Sequence, residues 1–282
     1  MNSFNAKKIY LYLNSMETEF SVERLPENTM NRSHAHDSFE LYFLIDGNRR
    51  LLVKNNFYKL EKGDILLIAP GILHKTLDEN PSEYHRLVIN FPKRIIDNVM
   101  RKGDAYTDLI SREATIVRNM KLYDVLVNDI LHIENAIQNN DTQTELLIAA
   151  FLYKLIYYLS SGENILPTTE ISEKNSKQIS DILKYINSNY THPITLAELS
   201  AKFYVSEFHL CRSFKKSTGR TIVEYINYLR IEKAKKILIE SETTIKKAAE
   251  MSGFKSIVNF NHTFKDYEKI TPSQFIKIRK MK

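Results

Sequence analysis

The chain has 282 residues, enough for two domains that each bury a core without disulfides or metal ions. Its only cysteine is Cys211, which excludes an intramolecular disulfide and indicates a reducing compartment, so we expect a cytoplasmic protein. The N-terminus lacks a basic region followed by a long apolar run, and Lys154 interrupts the most apolar segment, residues 148–159. We therefore expect neither a signal peptide nor a membrane span.

Positive charge is concentrated in the C-terminal part of the chain. The formal net charge is +6, but residues 175–282 hold 20 Lys and Arg against 10 Asp and Glu, whereas residues 1–174 hold 20 against 24. This segregation is typical of a region that binds a polyanion, because neutralising phosphates releases counterions. The alternative is that these lysines only solvate the surfaces of helices.

Short apolar runs separated by turn signals characterise the N-terminal third. The runs are 39–45, 51–53, 65–68 and 87–91, and glycine, proline or asparagine stands in the turns between them. The pattern predicts an all-β sandwich or barrel, and we assign residues 1–95 to an N-terminal arm followed by this β domain.

Helical periodicity replaces this pattern after Pro92. Apolar residues recur at helical spacing over 122–137 and again over 146–159, with a loop signal at 139–141. We assign residues 96–162 to a helical segment with an antiparallel hairpin. The second helix is apolar around much of its circumference, which favours a homodimer through residues 118–160. The alternative is that both helices simply pack on the β domain.

A polar segment with one proline, residues 163–175, is the predicted interdomain linker. Residues 176–282 contain a repeat of about fifty residues. Thr195-Leu196 aligns with Thr244-Ile245 at an offset of 49, and Phe214-Lys215 aligns with Phe264-Lys265 at an offset of 50. The repeat therefore divides this region into two similar units.

Each repeat predicts a short helix, a tight turn and a second helix, which together form a helix-turn-helix. The short helices span 196–202 and 245–251, and the second helices open at Ser206 and Ser256. Three Thr-x-x-Glu or Thr-x-x-Gln boxes, starting at Thr195, Thr221 and Thr271, mark further helix starts. A helix over about 222–239, roughly 27 Å long, joins the units and could place both second helices in successive major-groove segments of double-stranded DNA.

The outward faces of the two second helices are the predicted DNA-binding residues. Leu210 and Phe214 in one unit, and Phe260 and Phe264 in the other, should face the core. Exposed Ile257 and Val258 would be explained by contact with thymine methyl groups, although one of them could instead lie in the core. The remaining side chains suit base edges or phosphates. The full predicted set is Ser206, Phe208, Cys211, Arg212, Lys215, Ser256, Ile257, Val258, Asn261, His262 and Lys265.

The C-terminal hundred residues resemble the AraC/XylS family of bacterial transcription regulators. The resemblance is carried by the segments 195–199, Leu210-x-Arg212-x-Phe214-Lys215-Lys216, Thr218-Gly219, Gly253-Phe254, Phe260-x-x-x-Phe264-Lys265 and Thr271-Pro272, with Tyr225, Arg230 and Ala234. It implies two helix-turn-helix units joined by a helix, and usually an activator that recruits RNA polymerase. Tyr204 departs from the pattern, because the aligned position in the second unit is Gly253.

The N-terminal part resembles the cupin-type sensor domains that many of these regulators carry. His34-x-His36-x-x-x-Glu40, followed by Gly47, forms the first motif, and Gly63 with Pro70-Gly71-x-x-His74 forms the second. In a strand, positions 34, 36 and 40 would share one face. The resemblance implies a small effector, often a sugar or related metabolite, and we predict that His34, His36, Glu40, Tyr42 and His74 bind it. We assign no cofactor, with a divalent metal at His34, His36, Glu40 and His74 as the less favoured alternative.

Three functions follow from these patterns. The first is an effector-controlled, sequence-specific transcription regulator. This function accounts for every segment, and under it the chain is not an enzyme. The second is a metal-dependent cupin enzyme with secondary DNA binding. The third is an architectural protein that coats DNA without reading its sequence. The fold class common to all three is a two-domain α+β chain, with a cupin-like β-barrel and helical hairpin followed by an all-α double helix-turn-helix.

Overall fold

The computed structural model describes residues 7–13, 16–25, 33–77, 84–100, 103–118, 120–161, 174–241 and 243–280. The chain divides into two units, Met1–Ser172 and Glu173–Lys282. The division falls inside the predicted linker, residues 163–175, of which 163–173 lie outside the described residues.

Antiparallel strands build most of the first unit. They form a six-stranded sheet in the order β1-β2-β8-β3-β6-β9 and a three-stranded sheet in the order β5-β4-β7. The strands are β1 Lys7–Leu13, β2 Met16–Leu25, β3 Phe39–Asp46, β4 Asn48–Val53, β5 Asn56–Glu61, β6 Asp64–Ile68, β7 His74–Leu77, β8 Tyr84–Phe91 and β9 Ala114–Arg118.

The two sheets pack face to face through one side of β3. Tyr42 and Leu44 point to this side and share a core with Leu51 and Val53 of β4. Among the described strands, however, the sheets do not join into a closed barrel, so the predicted barrel is corrected to a two-sheet sandwich. The sequence pattern could not distinguish the two, because alternating apolar residues serve both architectures.

The other side of β3 carries the helical layer. Phe39, Leu41 and Phe43 form one core with apolar residues of α3 and α4. The four helices of this unit are α1 Lys93–Val99, α2 Asp104–Ser111, α3 Met120–Gln138 and α4 Thr144–Ser160. The hairpin of α3 and α4 is the one that helical periodicity predicts, and it packs on the sheet through one side only. No helix in the described ranges combines the length and apolarity needed to span a bilayer.

A strand that was not predicted from the sequence lies within residues 96–162, the segment assigned as helical. β9 pairs with β6, and the Arg118 guanidinium donates two hydrogen bonds to the buried Asp64 carboxylate, at 2.5 and 2.6 Å. Such a bidentate pair fixes the edge strand in place. The five-residue run is too short for its alternation to stand out beside the neighbouring helices.

Helices alone form the described part of the second unit. They are α5 Lys174–Asn189, α6 Leu196–Lys202, α7 Glu207–Thr218, α8 Ile222–Glu240, α9 Ile245–Met251, α10 Ile257–Glu268 and α11 Pro272–Lys280. The sheet-rich first unit and the helical second unit confirm the predicted fold class. The bounds of α6 and α9 agree with those predicted from the repeat.

Helix caps explain where several of these helices begin. Thr221 and Glu224 form a complete capping box, and Thr271 and Gln274 bond reciprocally in the same way. The box predicted at Thr195 is only half formed, since the Thr195 hydroxyl accepts from the Glu198 amide while the Glu198 carboxylate accepts from the Tyr185 hydroxyl. This second bond instead ties α6 to α5.

Candidate functional site

The second helix of the first repeat, which the sequence predicts to be its recognition helix, is α7. The Ser206 hydroxyl accepts the His209 amide and so fixes where the helix starts. Leu210 and Phe214 are fully buried, as predicted. The predicted DNA-binding residues Phe208, Cys211, Arg212 and Lys215 are all exposed. With 77% of its surface accessible, Phe208 has no covering group within this unit.

The recognition helix of the second repeat, α10, has the same organisation. Ser256 caps it by accepting the Asn259 amide, and Phe260 and Phe264 are fully buried. Val258 is 75% exposed and Ile257 is 37% exposed, so neither lies in the core. Asn261, His262 and Lys265 are also exposed. We call the exposed residues of α7 and α10 the recognition surface.

A contact between a histidine and a carboxylate lies within this surface. His262 Nδ1 is 3.0 Å from Asp266 Oδ2, one turn further along α10. The contact involves Nδ1 and leaves Nε2 of the exposed ring available for another hydrogen bond.

In the first unit, the structure brings together four of the five predicted ligand-binding residues. Each of His34, His36, Glu40 and His74 offers one donor atom, and these atoms lie within 4.8 Å of one another. His36 Nε2 is 3.0 Å from Glu40 Oε2, and His74 Nε2 is 3.4 Å from the same oxygen. We call these four residues the polar cluster.

Backbone contacts of an irregular segment assemble the polar cluster. Residues 34–38 do not continue β3, contrary to the parity argument that placed His34, His36 and Glu40 on one strand face. Instead, His34 and His74 exchange two backbone hydrogen bonds, of 3.0 and 2.9 Å, as an isolated bridge. His36 is held separately, because its carbonyl accepts the Gly71 amide.

Two of the imidazoles are oriented by backbone carbonyls. The Nδ1 atoms of His36 and His74 each lie 2.9 Å from a carbonyl oxygen, of Ser38 and Ile72 respectively. If Nδ1 carries the proton, each ring directs Nε2 towards Glu40. His74 Nε2 is buried and has no partner with hydrogen-bonding geometry in the described part of the chain.

Electrostatics within the polar cluster favour a charged Glu40. Burial alone would raise the pKa of Glu40, but the His36 and His74 imidazoles hold it well below its ordinary value. Burial likewise opposes a charged His36, but its bond to Glu40 raises the pKa of His36. Burial, followed by the neighbouring His74, lowers the pKa of His34 to about 4. The cluster thus holds a carboxylate, one imidazole biased towards its charged form and one biased towards its neutral form.

These donors fit a divalent cation. An ion bound at about 2.1 Å by tetrahedral ligands places neighbouring donor atoms about 3.4 Å apart. The separation of Glu40 from His74, 3.4 Å, matches this value, while that of Glu40 from His36 is shorter, 3.0 Å, and the four donor atoms lie within 4.8 Å of one another. Carbonyls that orient the distal imidazole nitrogen are the usual outer partners of metal-binding histidines.

Tyr42, the fifth predicted residue, lies in a different environment. Its ring is completely buried in the core between the sheets, and the Arg86 guanidinium lies 5.5 Å from its centroid. Arg49 lies 3.3 Å from the centroid of Tyr84 in the same interior. Sequence reasoning overlooked both arginines. A signal for Arg86 was available in the sequence. Tyr84, Arg86 and Val88 alternate along β8 and therefore share one face of the strand.

Comparisons with known families divide the chain in the same way. Residues 18–156 match the family described as an AraC-like ligand binding domain. Residues 199–278 match a helix-turn-helix domain family, and this match covers the recognition surface.

Curated relatives extend over most of the chain. It is 25% identical over 239 residues to the lactose operon transcription activator of Staphylococcus xylosus, covering 83% of this chain and 82% of the relative. It is 22% identical over 281 residues to the Msm operon regulatory protein of Streptococcus mutans, covering 97% and 98%. It is 25% identical over 258 residues to the raffinose operon transcriptional regulatory protein of Pediococcus pentosaceus, covering 90% of each.

The recognition surface generates a mutational prediction. We expect Arg212→Ala and His262→Ala each to weaken binding to a specific site by about 1 to 3 kcal/mol, with little effect on random DNA, because base contacts are lost. Lys265→Ala should weaken binding to both DNAs alike, because it removes a phosphate contact. Fluorescence anisotropy at fixed salt measures both affinities, with Lys277→Ala on α11 as the control. Equal losses on both DNAs for Arg212→Ala would refute its base-reading role.

Proposed function

The chain belongs to the AraC family of transcriptional regulators, and from that premise we propose that it binds a specific two-part DNA site and activates transcription under the control of a small effector. It acts as a regulator and not as an enzyme. One observation carries the proposal: α7 and α10 expose equivalent faces, while buried apolar residues at equivalent positions anchor them. A protein that only coats DNA has no need of exposed Ile257 and Val258, which suit thymine methyl groups.

The polar cluster is the proposed effector site. Its charged Glu40 and its imidazoles can accept and donate hydrogen bonds, as the hydroxyl groups of a sugar require. Two relatives are named for lactose and raffinose operons, which supports a saccharide or related metabolite as the effector class. His36, the member with a quarter of its side chain accessible, offers the first contact from solvent. Tyr42 supports the site from the core side, two residues along β3 from Glu40.

We place the protein in the cytoplasm, where RNA polymerase would be its partner at the promoter. The net positive charge of residues 175–282 supports this assignment, since it would draw this unit towards DNA. The division into regions is proposed as 1–95 for the sensor, 96–162 for the helical dimerisation segment, 163–175 for the linker and 176–282 for DNA binding.

The first experiment measures binding to DNA upstream of the chain's own gene and neighbouring operons, against random DNA, with lactose, raffinose and other sugars. At physiological salt we expect one segment to be preferred by about a thousandfold, and one sugar to shift that affinity. His36→Ala should abolish the sugar response and leave DNA affinity without sugar unchanged. Equal affinity for promoter and random DNA under every condition would favour the architectural alternative and overturn the proposal.

A homodimer through the α3–α4 hairpin completes the proposal. Leu146, Ala150 and Tyr157 form an exposed stripe at i, i+4 and i+11 of α4, and the half-buried Tyr153 at i+7 connects it to the core of this unit. Leu146 and Tyr157 are each 66% exposed. Beside the stripe lies a groove of about 470 Å³ between α3 and α4, lined partly by Leu147 and Phe151. A second copy of the stripe has the chemistry and length to cover this surface.

Charge placed on the stripe should separate the dimer. We expect Leu146→Glu to move the protein from dimer to monomer by sedimentation velocity at micromolar concentration, because a buried, unpaired carboxylate is unfavourable in an apolar interface. Val99→Glu, an equivalent change at an exposed position of α1, is the matched control. A wild-type monomer, or a variant that remains dimeric, would remove the hairpin from consideration as the interface.

A second candidate function for the polar cluster is divalent metal binding, which the orphaned Nε2 of buried His74 favours. His34, His36, Glu40 and His74 would hold the ion. The ion would bring together the ligands of the irregular segment and β7, and so stabilise the sensor.

Calorimetric titration of chelator-treated protein with Zn²⁺ tests this function. We expect one ion per chain and a raised melting temperature, both lost in His74→Ala and retained in His132→Ala, which alters an exposed histidine of α3. No heat of binding and no thermal shift would leave the sugar as the sole proposed ligand of the cluster.

A further inference from the structure

The two recognition helices are held by α8, which separates them in the sequence. The Phe214 ring of α7 lies 5.4 Å from that of Tyr225 on α8, and Phe260 of α10 shares a core with Ile231 and Ala234 of α8. Apolar packing of this kind fixes which face of a helix is buried. It resists sliding and tilting less strongly, because it is not directional.

A directional contact joins the ends of the two recognition helices. Arg220, which follows Gly219 at the end of α7, has its guanidinium 4.9 Å from the Tyr228 ring centroid and 5.9 Å from that of Tyr267, in the last turn of α10. The Tyr267 hydroxyl donates to the Glu224 carbonyl in the first turn of α8, at 2.7 Å. We call Arg220, Tyr228 and Tyr267 the Arg220 bridge.

The backbone of this bridge is itself fixed. The buried Thr218 hydroxyl donates to the Phe214 or Arg220 carbonyl, at 2.8 and 2.9 Å, and accepts the Arg220 amide at 3.1 Å. Arg220 therefore leaves α7 in a defined direction, and its guanidinium reaches α10 from a fixed starting point.

A second directional contact joins the loop after α5 to the turn of the second repeat. Arg230 of α8 donates to the Tyr190 carbonyl at 2.7 Å and to the His192 carbonyl at 3.0 Å. Its guanidinium also lies 5.9 Å from the Phe254 ring centroid, beside the turn between α9 and α10. We call Arg230, its two carbonyl partners and Phe254 the Arg230 bridge.

The loop and the turn are in contact at Gly253. Its φ is +95°, and a Cβ atom there would lie 2.6 Å from the Thr191 carbonyl oxygen and 2.7 Å from the Thr191 Cα. Only glycine permits both the conformation and this approach of two backbones. Tyr204, at the aligned position of the first repeat, has φ +51° and is 96% exposed, so the first turn is not in a comparable backbone contact.

From these contacts we infer that Arg220 and Arg230 are positioning residues that set the distance and angle between α7 and α10, and thereby the spacing that the protein requires between the two halves of its DNA site. The inference rests on the proposed reading of DNA by both helices. One added base pair moves the second half-site by about 3.4 Å and rotates it by about 35° around the duplex. The Arg220 bridge ties the last turn of α10 to the end of α7, and the Arg230 bridge ties the turn before α10 to the loop after α5. Helices held in this way cannot follow such a step, whereas helices held only by apolar packing can follow it in part.

The test is selection of binding sites from fully random duplexes, followed by affinity measurements on the selected site with one base pair inserted or deleted between its halves. For the wild type we expect selection to yield one spacing. Inserting or deleting one base pair should then lower the affinity by about tenfold or more. For Arg220→Ala and Arg230→Ala we expect the same insertion or deletion to lower the affinity by less than about threefold, and selection to yield a broader set of spacings. Affinity for a duplex carrying one half-site should stay within about twofold of the wild-type value.

Lys236→Ala, which removes the same charge from an exposed position of α8, is the matched control and should keep the wild-type spacing dependence. Circular dichroism melting separates loss of folding from loss of positioning. If Arg230→Ala does not fold, Arg230→Lys preserves the charge but not the two-carbonyl fork, and it should still broaden the spacing. Variants that retain the wild-type spacing dependence would overturn the inference. A wild type that selects no two-part site would instead overturn the proposed function.

Discussion

Paired aromatic and aliphatic side chains four residues apart determine how the second unit is organised. Leu210 with Phe214 on α7, and Phe260 with Phe264 on α10, are completely buried. Because residues four apart lie on one side of a helix, burying them fixes the helix rotation. The side chains at positions 211 and 212 of α7, and at 261 and 262 of α10, are then exposed. The recognition surface is therefore a consequence of how the core is packed, and substitutions on it should change DNA affinity with little change in stability.

The sequence predicts this unit well because its signals are local. The caps at Ser206 and Ser256 start both recognition helices where the repeat placed them, since a side-chain oxygen satisfies amides that the helix leaves free. The fifty-residue repeat supplied a second, independent prediction of where each of these helices begins. The Arg220 and Arg230 bridges had no such signal. Arg230 finds its carbonyl partners about 40 residues away, and no local pattern records that pairing.

The first unit was less predictable because its order depends on non-local pairing. Runs such as 39–45 and 65–68 mark strands, but periodicity gives neither the order of strands in a sheet nor whether the sheet closes. β9 joins the sheet through β6, more than forty residues earlier in the chain. The polar cluster shows the same limit. The motif named the four residues that converge, but the reason given for their convergence was wrong, because the bridge between His34 and His74 replaces the expected continuous strand.

If the two bridges hold α7 and α10 at a fixed separation, an effector cannot act by changing the spacing read by a single chain. An effector shifts an equilibrium only through its different affinities for the two states, and the site proposed for it belongs to the other unit. The remaining variable is how many DNA-binding units are available together, which a dimer through α4 would determine. Regulation would then alter the pairing or release of rigid DNA-binding units, with each chain reading the same two-part site in both states. The effector would change occupancy of the operator, while the sequence preferred at each half-site would remain the same.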